Sequence, residues 1–305
     1  MGKLNVNLSG LELKNPLIPA SGTFGYGFEF SEIYDLNILG SFSIKGTTLN
    51  PRDGNPLPRI CETSGGLLNS VGLENPGVDK VCDEYFPKLK EIYNGKVIAN
   101  VSGFSLDEYK KCAQRLDEQD IVGLIELNIS CPNVHGGGMS FGTDCDSAVS
   151  VLKEVKSVCK KPVYVKCTPQ CKDLVKMCIA LEENGADGLV LLNTFLGMRI
   201  DIKSGRPILK NTTGGLSGPA VFPMVLESIY KVARHVNIPI IGCGGVNSGS
   251  DVIEMMMAGA SAVEVGSANL ADPFAMARIL NELNDLVDLL KIDDINKIVK
   301  RSLNV

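Results

Sequence analysis

The stretch N-G-A-D-G-L-V-L-L-N (184–193) reads as a helix end, a glycine stop, and a new apolar strand that finishes on a polar residue. The stretch A-G-A-S-A-V-E-V-G-S (258–267) repeats that order. Working outward, short apolar runs recur at Leu17–Ser21, Phe42–Lys45, Val97–Asn100, Leu124–Asn128, Val163–Lys166, Gly188–Asn193, Pro239–Gly242 and Ala262–Gly266. Continuous apolar runs of this length fit parallel strands buried on both faces. Between them lie amphipathic patterns at Leu106–Gln119, Ala148–Cys159, Leu174–Glu183 and Pro219–His235. Ser105 with Glu108 predicts a capping box. Gly95, Gly123, Gly185 and Gly259 sit where helices should stop. Eight strand–helix units predict an α/β fold of the (β/α)8 TIM-barrel type, ahead of a doubly wound open sheet. Thr47–Asn75 is rich in Pro, Gly and Asn, and Met198–Pro207 has the pattern of a short hairpin. Both follow strand ends, so both are expected as insertions over the C-terminal mouth. Leu4–Leu13 predicts an N-terminal hairpin closing the opposite end. No linker or composition shift divides the chain, so residues 1–305 read as a single domain.

Hydrophobic residues make up 44% and charged residues 21%, which is ordinary globular composition. A net charge of −5 argues against nucleic acid or an anionic membrane as a partner. The longest apolar runs are far too short to span a bilayer. Met1–Gly10 has no apolar stretch of the signal-peptide kind, so a cytoplasmic location is expected. Ten cysteines include no C-x-x-C pair, which leaves zinc and iron–sulfur ligation within this chain unsupported and no metal expected. Reduced thiols are the simplest state.

The strand ends carry the chemistry. In order they are Ser21, Lys45, Asn100, Asn128, Lys166, Asn193, Gly242–Gly245 and Gly266–Ser267. Polar residues in that register ring the site-bearing face of a barrel. G-C-G-G (242–245) and V-G-S-A-N (265–269) leave the last two strands, where barrels recurrently bind phosphate. G-G-L-S-G-P-A (214–220) offers a third set of phosphate contacts before a helix. Neither a P-loop nor a dinucleotide fingerprint occurs. N-I-S-C-P-N (128–133) runs into a Gly-rich loop, and Cys131 there suits proton abstraction from carbon under a closing lid. His135 nearby suggests a Cys–His pair, but no third orienting group is evident. Lys45 and Lys166 end apolar strands and should point into the mouth, either as Schiff-base nucleophiles or as holders of an anionic cofactor. Asn69, Asn128, Asn133 and Asn193 with Thr194 offer uncharged donors and acceptors that suit a planar, amide-rich ring.

With those residues in hand, the chain closely resembles the class 1 dihydroorotate dehydrogenases. The resemblance runs nearly end to end: A-S-G-T-F-G (20–25), K-G-T-T (45–48), N-S-V-G-L-E-N (69–75), N-I-S-C-P-N, L-N-T (192–194), G-G-L-S-G-P-A, Gly244–Gly245 and V-G-S-A-N. The wording around residues 20–27 and 132–144 looks like class 1B, the NAD-linked catalytic subunit, rather than the fumarate-linked class 1A. The resemblance implies an FMN barrel in which Ser21, Lys45, Gly46, Asn100, Asn128 and Lys166 surround the ring and ribityl chain. Gly218, Gly244, Gly245, Gly266 and Ser267 would hold the phosphate end. Substrate contacts carried over are Lys45, Asn69, Ser70, Val71, Gly72, Leu73, Asn128, Asn133, Asn193 and Thr194, and Cys131 falls on the catalytic base. The reaction implied is oxidation of dihydroorotate to orotate, with electrons passed to NAD through a separate subunit carrying FAD and a [2Fe–2S] cluster, in a heterotetramer. Cys243 stands where the family usually has Met, and Cys167-Thr168 where Leu-Ser is frequent. The alternatives are a fumarate-dependent class 1A-type enzyme or a related dihydropyrimidine oxidoreductase and, more remotely, a Schiff-base lyase using Lys166.

Overall fold

The computed structural model describes residues 3–129 and 141–304. Near its start β1 (Val6–Leu8) and β2 (Leu11–Leu13) pair antiparallel as the expected hairpin. Ser9 between them reaches the Tyr164 hydroxyl at 3.0 Å, which seats the hairpin against one end of the barrel.

The buried apolar runs become the staves. β3 (Leu17–Pro19), β6 (Val97–Val101), β7 (Val122–Asn128), β8 (Val163–Lys166), β9 (Gly188–Leu191), β14 (Ile240–Cys243) and β15 (Ala262–Val265) form one sheet, ordered β3-β15-β14-β9-β8-β7-β6. All its pairings are parallel. The eighth expected stave, Phe42–Lys45, closes the ring without a continuous ladder. The Ser43 N–H donates to the Pro19 carbonyl at 2.9 Å, the Ile44 N–H to Ile98 at 2.9 Å, and the Thr47 N–H to Asn100 at 2.9 Å. Residues 42–47 thus bridge β3 and β6, and the sheet is a barrel.

Tyr164 fills the interior so tightly that a Cβ on Gly188 would stand 2.4 Å from its ring. A glycine is required there by close approach, not by backbone conformation. Helices Leu106–Asp117, Cys145–Lys156 and Leu174–Glu183 pack outside, started by Ser105, Asp144 and Asp173, whose side chains accept from backbone N–H groups. At the first of these, the Glu108 carboxylate accepts from the Phe104 N–H at 2.7 Å rather than from the cap residue, so the expected box is offset by one position. Pro219–His235 divides into a short 3-10 turn, Pro219–Val221, and the helix Phe222–Ala233. Gly123 is a correction: it lies inside β7, where a Cβ would meet Leu11 of the hairpin at 2.7 Å. Gly185 and Gly259 do end helices, with φ of 91° and 134°.

The first insertion contributes two strands to a second sheet, and segments flanking the second insertion contribute the other two. β4 (Ile60–Thr63), β5 (Gly66–Asn69), β10 (Phe195–Gly197) and β13 (Gly214–Ser217) form an antiparallel roof in the order β10-β13-β5-β4. β11 (Ile200–Asp201) and β12 (Arg206–Pro207) make the expected short hairpin. Gly214–Ser217, expected as a phosphate loop, is therefore mainly a roof strand.

Candidate active site

A cavity of about 400 Å³ lies between the C-terminal ends of the barrel strands and the roof. Its barrel side carries Ser21, Lys45, Gly46, Asn100, Asn128 and Lys166, and one end carries Gly244, Gly245, Gly266 and Ser267. Asn69, Val71, Gly72, Leu73, Asn193 and Thr194 complete the wall. Two expected site residues are not brought into it. Ser70 is fully buried behind the wall, with its N–H donating to the Arg59 carbonyl. Gly218, at φ 116°, lies against the β4–β5 turn of the roof, where a Cβ of its own would stand 2.5 Å from the Gly66 Cα. Cys131, Asn133 and His135 lie outside the described residues.

The asparagines are held by the scaffold. The Tyr109 hydroxyl donates to the Asn128 carbonyl at 2.8 Å, and the Asn193 amide approaches Asn128 Oδ1 at 3.5 Å. The Thr194 N–H donates to Asn193 Oδ1 at 2.7 Å. Asn100 donates to Glu126 at 2.6 Å, while its own Oδ1 is buried with no hydrogen-bond partner among the described residues. At the glycine end, Gly244 and Gly245 have φ of 135° and 80°, which L side chains rarely adopt. A Cβ on Gly266 would meet only Ala20, at 3.8 Å, so that side of the loop is open space. An unpartnered amide oxygen, uncharged donors and an open glycine cradle suit a flavin ring with a phosphate tail.

Glu126 and Glu264 lie in the barrel interior beneath the cavity, and neither was singled out from the sequence. Lys166 Nζ sits 2.8 Å from Glu126 and 2.6 Å from Glu264, and both glutamates are 0% exposed. Burial pulls the Lys166 ammonium toward its neutral form. The Cys243 sulfur and the two carboxylates outweigh burial and hold it well above its ordinary value. Of these the carboxylates carry the charge, because burial pushes the Cys243 thiol up as well. A Schiff-base nucleophile must be a neutral amine, so the geometry speaks against Lys166 as one. Lys45 is more open, 3.9 Å from Glu74, and Glu74 is in turn bonded by Arg59. Arg59 and Glu74 were also missed; they sit in the Pro/Gly/Asn-rich insertion, where no periodicity marks an inward face. The two buried glutamates did leave a signal: a charge inside an apolar run must be paired when the strand is buried.

A family profile described as dihydroorotate dehydrogenase matches residues 3–287. The chain belongs to the dihydroorotate dehydrogenase family. Among its curated relatives, a protein of Geobacillus kaustophilus named "Dihydroorotate dehydrogenase B (NAD(+)), catalytic subunit" is 51% identical over 302 residues, covering 99% of this chain and 96% of the relative. A protein of the same name from Malacoplasma penetrans is 50% identical over 300 residues, covering 98% of each. The dihydroorotate dehydrogenase family is flavin-dependent, and this chain is an oxidoreductase of that kind. Among the described residues no helix is long and apolar enough to cross a membrane.

Proposed function

We propose that this chain, as a single barrel domain spanning residues 1–305, oxidises (S)-dihydroorotate to orotate in pyrimidine biosynthesis. It would pass the electrons to NAD through a partner subunit. The observation that carries this reading is the convergence of Lys45, Asn69, Asn128, Lys166, Asn193 and the Gly244–Gly245 turn on one cavity. FMN is the cofactor that fits: Ser21, Lys45, Gly46, Asn100, Asn128 and Lys166 would hold its ring and ribityl chain, and Gly244, Gly245, Gly266 and Ser267 its phosphate. Bound there, it supplies the hydride acceptor.

The chain's own residues supply the rest. Asn69, Asn128, Asn133, Asn193 and Thr194 pair with the amide edges of the pyrimidine, so that an apolar or merely anionic ligand leaves them unsatisfied. Lys45, beside Glu74 at the cavity wall, orients the ring. Cys131 would take the C5 proton as the catalytic base when the C6 hydride departs. Lys166 favours negative charge above it, because it stays cationic at every pH near neutrality.

The partner is a separate subunit carrying FAD and a [2Fe–2S] cluster, in a heterotetramer of two catalytic and two electron-transfer subunits. The curated relatives are named as catalytic subunits of an NAD(+) enzyme, which supports that reading. Cysteines without paired spacing suit a reducing cytoplasm. The test is orotate formation by the purified chain, alone and with the partner, offered NAD or fumarate. NAD reduction only with the partner supports the proposal. Robust NAD reduction by the chain alone contradicts the separate partner, and vigorous fumarate reduction by the chain alone moves it to class 1A.

A further inference from the structure

Three ionisable side chains meet in the barrel interior under the cavity, one from each of three strands, and only Lys166 among them reaches the cavity wall. Glu126 is well supplied with donors: Lys166 at 2.8 Å, Ser43 Oγ at 2.8 Å and Asn100 Nδ2 at 2.6 Å. Glu264 has Lys166 on Oε2 at 2.6 Å, while its Oε1 is buried and meets no hydrogen-bond donor among the described residues. The titratable groups around Glu264 are Glu126 from β7, Lys166 from β8 and Cys243 from β14. Two carboxylates against one ammonium leave an uncompensated negative charge on fully buried side chains. Such a set takes up a proton rather than keep that charge. The donors decide which carboxyl takes it. Lys166 and the hydrogen bonds keep Glu126 below the ordinary carboxylate range against the pull of burial. Burial first, and the Glu126 charge second, push Glu264 up to about 8.

We infer that Glu264 is a positioning residue that acts through Lys166: as a neutral carboxyl it leaves the Lys166 charge available to negative charge at the cavity floor, and from its carboxylate form it takes a proton when that charge arrives. The inference rests on the flavin reading of the cavity. Its balance is simple. Two electrons enter with one proton bound by the cofactor, and where Glu264 is still a carboxylate, above about 8, it binds a second proton as it becomes a neutral carboxyl. No bond to Lys166 is made or broken. The reductant is the substrate in turnover and dithionite in the test.

The experiment is an anaerobic redox titration of the FMN-loaded chain at a series of pH values, with the slope of the midpoint potential against pH reading the protons taken up per two electrons. In the native chain the uptake rises from one proton to two as pH passes about 8. In Glu264→Gln it stays at one throughout, and in Glu264→Asp the rise returns. A merely structural role for Glu264 gives no break in the native chain, and that result overturns the inference even where the glutamine variant fails to hold FMN. A break that persists unchanged in Glu264→Gln overturns it as well. A native chain that binds no FMN overturns the flavin reading itself, which separates the two failures.

Discussion

Replacing Lys166 with methionine keeps a long unbranched side chain and removes the cation that faces Glu126 and Glu264. With the ammonium 2.8 and 2.6 Å from two fully buried carboxylates, no other cation among the described residues is ion-paired to either. Glu264 already favours its protonated form below about 8. The burden therefore falls on Glu126, which keeps only its neutral donors Ser43 and Asn100. Removing one partner of a buried pair costs about 3–5 kcal/mol. At about 2.1 cal/mol/K per residue, a chain of 305 residues has an unfolding entropy near ~0.6 kcal/mol/K, so the melting midpoint falls by about 5–8 °C. The pH dependence has a definite sign. Without Lys166 the Glu126 carboxyl holds a proton more tightly folded than unfolded, so stability is greatest at low pH and is lost as pH rises. The loss relative to the native chain is thus larger at pH about 8 than at pH about 5.5. The chain has no tryptophan, so thermal unfolding is best followed by far-ultraviolet circular dichroism on the FMN-free protein. A midpoint within about 2 °C of native at the higher pH, or a loss that grows as pH falls, refutes the buried-charge reasoning.

Glu264→Gln should flatten the stability–pH curve between the ordinary carboxylate range and about 8, because the native residue contributes stability that is present at low pH and lost through that window; chemical denaturation at several pH values measures it. Gly266→Ala should leave the FMN-free fold intact, since its Cβ meets only Ala20 at 3.8 Å, yet weaken FMN by about tenfold or more as the methyl blocks backbone approach to phosphate. Gly245→Ala, by contrast, should cost the fold too, at φ 80° with its Cβ 2.6 Å from the Phe222 nitrogen; flavin content and melting midpoint together separate the two. Cys131→Ala should keep FMN and orotate binding but lose about 10²–10⁴-fold in turnover, with Cys131→Ser partly recovering at raised pH; near-native turnover removes Cys131 from the reaction.

Seven of the eight expected barrel strands form the regular ladder, and they were legible because each is apolar on both faces, as a parallel sheet covered by helices requires. The run at Phe42–Lys45 was legible too, but its backbone divides its hydrogen bonds among Pro19, Gly25 and Ile98, so it carries no regular ladder. The roof could not be read in the same way. β4 and β10 are short and partly exposed, and β13 opens with two glycines, which weaken any strand signal. A Gly-rich stretch reads equally as loop or strand until its partner is known. At the site, the strand-end polar residues line one cavity. Glu126 and Glu264 escaped because each hides inside an apolar run, although side-chain alternation sets them on the same strand faces as Asn128 and Gly266, two residues on. Gly123 misled because a glycine demanded by close approach of the Leu11 hairpin looks, in sequence, like a helix stop.

The most direct test of the account is anaerobic mixing of the purified chain with dihydroorotate while the flavin's visible absorbance is followed. The account expects a yellow protein that bleaches on mixing and releases one orotate per flavin reduced, with no partner required for that half-reaction. A colourless chain that cannot be loaded with FMN, or a flavin that stays oxidised in the presence of dihydroorotate, contradicts it.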